Sequence, residues 1–222
     1  MTNKDIKEYA KSEYKKNFGD IFLPIILFSI ISGTVTGLSS SIPFIGIALG
    51  VIAGVFTYAI EIGLYDYIVK YIKKEKYKLD DLFSHFNEIG NLIPLFLLQT
   101  AFIFLWTLLF IIPGIIKAFS YSLVPFLYLK HPNKDAQELL KMSEELMNGH
   151  KMDLFVLYLS FIPYHLLGII TCGIFEIFYV IPVQTLATVK FLNQILENKE
   201  DKIKDAEIVE DNTKENNKNK AN

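Results

Sequence analysis

From Leu92 to Leu129 the chain is apolar and holds a single charge, Lys117. A Pro-Gly pair, Pro113–Gly114, divides this run into two pieces. A helix needs about 20 apolar residues to cross about 30 Å of hydrocarbon, so each piece is close to one membrane thickness. Lipid offers no partner to a backbone N–H or C=O, which leaves the helix as the form such a run can take. The stretch reads as a membrane hairpin with its turn at Pro113–Gly114, and the chain as an integral membrane protein.

Four further segments are of the same kind. With the two pieces above, the apolar segments are Ile21–Ser40, Phe44–Val69, Leu92–Ile112, Ile115–Leu129, Leu154–Thr171 and Ile174–Phe191. Hydrophobic residues make up 51% of the sequence, and few soluble domains carry so many long uncharged runs. Three connections are short and nearly free of charge: Ser39–Pro43, Pro113–Gly114 and Cys172–Gly173. The others are long and lysine-rich, and every basic residue of the chain is lysine. Lysine-rich loops stay in the cytoplasm. One arrangement satisfies all segments: an all-α, six-span transmembrane bundle of three hairpins in the plasma membrane, both termini cytoplasmic. The expected division is an amphipathic N-terminal helix over 1–19, the membrane domain over 20–198, and a disordered cytoplasmic tail over 199–222.

Two cytoplasmic segments have helical periodicity. Ile6, Ala10, Tyr14 and Phe18 recur every four residues among lysines, as in a helix lying on the anionic inner leaflet or in a solvated leader before the first span. Over Lys134–Asn148, Ala136, Leu139, Leu140, Ser143, Leu146 and Met147 share one face, with Asn133 placed to cap the helix and Gly149 to end it. Leu79, Leu82, Phe83 and Phe86 mark a shorter amphipathic piece. A shift of 59 residues sets Gly114 on Gly173 and Lys117 on Glu176, which reads either as a parallel repeat or as a chance match of two hydrophobic hairpins.

The stretch Trp106–Tyr121, WTLLFIIPGIIKAFSY, followed by Pro125, resembles the central signature of a bacterial integral membrane family known as domain of unknown function 975. The resemblance continues through Ser143, Met147, Gly149 and Lys151 to Leu159-Ser160-Phe161-Ile162 and covers roughly residues 5–195. The chain departs from the family pattern at Pro163-Tyr164-His165 and at Pro182-Val183. The resemblance implies a multi-pass plasma-membrane protein and no activity. The family is also similar to the membrane domain attached to some glycerophosphodiester phosphodiesterases, whose catalytic domain has no counterpart in these segments.

The candidate residues are those that a bilayer makes costly or mechanically useful. Gly33 and Gly37, and Gly46, Gly50 and Gly54, recur every four residues on the first two spans, a pattern that lets helices approach closely, either these two or two copies of the chain. Lys117 and Glu176 each fall just beyond a hairpin glycine, where they read as an outer-edge ion pair between hairpins or as independent surface charges. Glu61 falls near the midplane, where a bare carboxylate costs about 2.5 kcal/mol or more. Gln99, His165 and Gln184 fall at similar depth. These four read as a buried polar layer serving ion or headgroup binding, or as a structural hydrogen-bond network.

No phosphate loop, nucleophile elbow or metal-binding motif is present, and the single cysteine, Cys172, excludes an internal disulfide. No cofactor, metal, enzymatic activity or nucleic-acid partner is expected. The expected partners are the bilayer, its anionic inner-leaflet lipids, and either a protein or a second copy. The favoured expectation is a non-enzymatic component that organises or senses the membrane or serves a partner there. The alternative is a small permease or ion-coupled transporter working through the midplane layer.

Overall fold

A computed structural model describes residues 2–40 and 46–199, the side chains of 39–48 excepted. Among the described residues every regular element is helical. The order is α1 (Asn3–Lys16), α2 (Phe18–Ser40), α3 (Gly46–Lys73), a 3-10 segment (Leu79–Glu88), α4 (Ile89–Leu109), α5 (Ile111–Ser120), α6 (Val124–Lys130), α7 (Ala136–Leu146), α8 (Lys151–Leu159) and α9 (Ile162–Ile170). A π-helical turn (Glu176–Val180) then leads into α10 (residues 181–199). The first short turn, Ser39–Pro43, lies partly outside the described residues. So do the surroundings of Gly46 and the tail after Lys199.

Five stretches are long and apolar enough to cross a membrane: Phe18–Leu38, Leu49–Lys73, Leu79–Leu109, Ile111–Lys130 and Lys151–Ile170. They carry large exposed apolar side chains, among them Leu23, Ile30, Leu97, Phe104, Leu109, Ile115 and Leu166. Such a surface is stable only against lipid or protein. The last helix differs. It continues past Phe191 to residue 199 and buries Val183, Leu186, Ala187, Val189, Leu192 and Asn193. Its neighbours, not lipid, shield it, so it tolerates polar side chains that a lipid-facing span does not.

The two predicted surface helices form, but they do not offer an apolar face to the leaflet. On α1, Thr2 and Asp5 make a capping box at the start and Lys15 and Lys16 complement the dipole at the end. Its apolar stripe, Ile6, Ala10 and Tyr14, is buried in the protein core. Asn3 donates to the Asp153 carbonyl, Lys7 to the Ser160 carbonyl, and Lys11 to the Tyr164 hydroxyl at 2.7 Å. On α7 the cap is Asp135, not Asn133, and the stripe Ala136, Leu139, Leu140, Ser143 and Met147 is likewise buried. Gly149 then reverses the chain at φ +86°.

The central turn is also displaced. The chain breaks at Phe110, whose φ of −157° and ψ of 140° are extended, and Pro113 sits in the first turn of α5. Proline is tolerated there because the first-turn N–H groups have no partner inside the helix. Gly114 is helical and buried. A Cβ on it would lie 2.8 Å from the Thr107 Cα, so its role is close approach of α4 and α5. Gly173 instead turns the chain at φ +86° beside Cys172 at +51°. The two glycines that the 59-residue shift superposes therefore do different things.

A proline inside a helix leaves a carbonyl without its i+4 donor, and at two such prolines a tyrosine supplies the hydrogen bond. Pro24 frees the Asp20 carbonyl, to which the Tyr67 hydroxyl donates at 2.9 Å. Pro182 frees the Phe178 carbonyl, which accepts from the Tyr14 hydroxyl of α1. The second case falls within the π turn, so α1 braces the point where the last helix is widened.

Candidate polar cavity

Several of the polar residues that a bilayer penalises line a cavity of about 200 Å³ between α3, α8, α9 and α10. Tyr65, Tyr158, His165, Glu176, Ile181, Gln184, Thr185 and Thr188 line it. Gln184 and Thr188, one helical turn apart, share the face of α10 turned to it. The tight turn at Cys172–Gly173 folds α9 against the π turn, which brings His165 Nδ1 to 2.8 Å from Glu176 Oε1. The other carboxylate oxygen, Oε2, is buried with no hydrogen-bond partner. Gly168 leaves room for it, since a Cβ there would lie 2.5 Å from Oε2. The side chains of His165 and Glu176 are 38% and 27% exposed, so the pair is not sealed off.

Glu61 lies near the middle of α3 and accepts from the Tyr65 hydroxyl at 2.8 Å. Tyr65, one turn along the same face, is the wall between that carboxylate and the cavity. Gln99 is held separately. Its side-chain oxygen accepts from the Tyr58 hydroxyl at 2.9 Å. Of the four residues expected to form a layer, His165 and Gln184 line one cavity, Glu61 joins it through Tyr65, and Gln99 stands apart on Tyr58.

The expected Lys117–Glu176 pair does not form. Lys117 Nζ lies 2.6 Å from Glu144 Oε1 on α7 and sits over the rings of Trp106 and Tyr121. With the turn at Phe110, Lys117 is about 10 Å along the helix from the tip and within reach of α7. Glu176 turns instead to His165.

The expected close packing of the first two spans does not run through Gly33 or Gly37. A Cβ on Gly33 or Gly37 meets nothing within 4 Å, although α2 packs along α3. Gly54 is close-packed, but against the Phe96 ring of α4, 2.6 Å from a built Cβ, and Gly50 is half-buried. The tightest backbone approach lies at Gly63, where a Cβ would collide with the Leu82 carbonyl of the 3-10 segment. Sequence reasoning missed Gly63, Tyr65, Tyr158, Thr185 and Thr188. A signal existed for Tyr65, which follows Glu61 at the i+4 spacing of one helix face.

Among the described residues no group of three or more His, Cys, Asp or Glu side chains could hold a metal ion. What the cavity offers is a carboxylate with a free acceptor, an imidazole, an amide and hydroxyls between tyrosine rings.

Helices of this length and apolarity, around a buried last helix, define an all-helical membrane protein. The chain belongs to the family described as Protein of unknown function (DUF975), whose family model matches residues 1–120 and 101–199. No curated protein and no solved structure matches the chain.

Proposed function

We propose that this chain is a small permease or ion-coupled transporter that works through the cavity between α3, α8, α9 and α10. The supporting observation is that His165, Glu176 and Gln184 line one cavity and that Glu61 reaches it through the Tyr65 hydroxyl. Ionisable groups at membrane depth are costly and are kept where they face a polar interior or a solute path. A π turn at the edge of the cavity fits the same use, since such turns recur at functional sites.

The reading includes a plasma-membrane location, six spans in three hairpins with α10 as the shielded sixth, and cytoplasmic termini. Lysine-rich loops then face anionic lipid on the inner side. No enzymatic step is part of it, and it extends to a kinship with the membrane domain of glycerophosphodiester phosphodiesterases, proposed here on the resemblance of sequence alone. A role in organising or sensing the leaflet drew on free amphipathic faces, and those of α1 and α7 are taken up by the protein itself.

Reconstitution into liposomes tests the proposal. Vesicles carrying the full chain are expected to pass protons or small cations faster than empty vesicles, and Glu61→Gln is expected to slow them. Flux equal to that of empty vesicles would remove the proposal.

A further inference from the structure

We infer that the solute of this cavity is a small organic cation carrying an N–H donor, a primary ammonium, with Glu176 as its counter-charge. The inference rests on the cavity being a solute site, as proposed above. Its first support is charge. Glu176 is a carboxylate, Glu61 stands behind Tyr65, and no lysine is among the lining residues. The only cationic group there is His165 when protonated, and its Nδ1 is already on Glu176 Oε1. A phosphate or another anionic headgroup would find no unshared positive partner.

The second support is the geometry of the carboxylate. Oε2 of Glu176 is buried and accepts no hydrogen bond. A desolvated acceptor of this kind is costly unless a donor meets it, and an ammonium N–H meets it best because both partners are charged. Gly168 is what admits this oxygen against α9, since a Cβ there would lie 2.5 Å from it.

Size and lining complete the match. A water takes up about 30 Å³ in the liquid, so about 200 Å³ holds roughly six or seven waters, or an amine of a few heavy atoms with some water. Tyr65 and Tyr158 furnish aromatic wall, which favours an organic cation. Gln184 and Thr185 offer oxygens to its remaining N–H groups.

The test uses the full chain purified in detergent, with thermal unfolding followed by the fluorescence of Trp106, the sole tryptophan. Ethylammonium, tetramethylammonium, potassium and inorganic phosphate are titrated at matched ionic strength. Ethylammonium is expected to stabilise the protein saturably, tetramethylammonium more weakly for want of an N–H, and phosphate not at all. Glu176→Gln is expected to weaken ethylammonium binding about tenfold or more, the loss of one charge-assisted hydrogen bond. Saturable stabilisation by phosphate, or none by ethylammonium, overturns the inference from the unsubstituted protein alone. An ethylammonium effect unchanged in a folded Glu176→Gln chain overturns it too. Ethylammonium binding without liposome flux would remove the transport proposal and leave the ligand class standing. Flux that excess ethylammonium does not inhibit would remove the ligand class and leave transport standing.

Discussion

Gly63 and Gly33 make opposite demands on their surroundings, although both are glycines inside long apolar helices. A side chain on Gly63 would strike the backbone of Leu82, whereas Gly33 faces open space. Gly63→Ala is expected to cost about 1–3 kcal/mol through overpacking. Gly33→Ala is expected to be neutral or to stabilise by up to about 1 kcal/mol through helix propensity. Thermal unfolding of the two variants in one detergent checks both. Lys117 gives a second test at this scale. Lys117→Glu is expected to lower folded yield, and Glu144→Lys in the same chain to restore it, while Glu176→Lys is expected to give no rescue. Four-residue spacing located Gly54 as a packed glycine but not its partner, Phe96. A glycine that meets a backbone carbonyl in a 3-10 segment leaves no periodic trace, which is why Gly63 was not legible in the sequence.

The helices were legible because apolar runs and caps are local signals. Their ends were less so. The turn between α4 and α5 falls at Phe110, since Pro113 suits a helix start as well as a turn. That shift carried Lys117 away from the tip and gave it a different partner. The apolar stripe of α1 was legible, but its periodicity is the same whether it meets lipid or protein. Contacts with residues 153–178 decide for protein. Tyr14 is central to that docking, because its hydroxyl occupies the carbonyl freed by Pro182. Tyr14→Phe is expected to destabilise the fold by about 1 kcal/mol, the net value of one hydrogen bond. Burial, with Tyr179 nearby, raises the Tyr14 hydroxyl from its ordinary 10.0 to about 12. A raised value means that the stabilisation is complete below pH 10 and is lost as pH rises toward about 12. In Tyr14→Phe that part of the alkaline loss is expected to vanish, as unfolding at stepped pH would reveal.

Across the whole molecule, two of the four residues expected at the midplane share one cavity and a third adjoins it through Tyr65. Depth arithmetic along single helices placed Glu61, His165 and Gln184 at comparable levels, and this much the sequence carried. It did not carry Glu176, because the tight turn at Cys172–Gly173 and the π turn after it rotate that carboxylate onto His165. Nor did it carry the burial of α10, whose polar residues are tolerable only because other helices surround it. The central claim is that this cavity holds water within an otherwise apolar belt. It is tested by thiol accessibility in membranes, using a Cys172→Ser chain with either Gln184→Cys or Leu166→Cys and a small charged methanethiosulfonate reagent. Rapid modification at position 184 and protection at position 166, which lies on the apolar exposed surface, is the result expected. Protection at 184 equal to that at 166 would contradict the account.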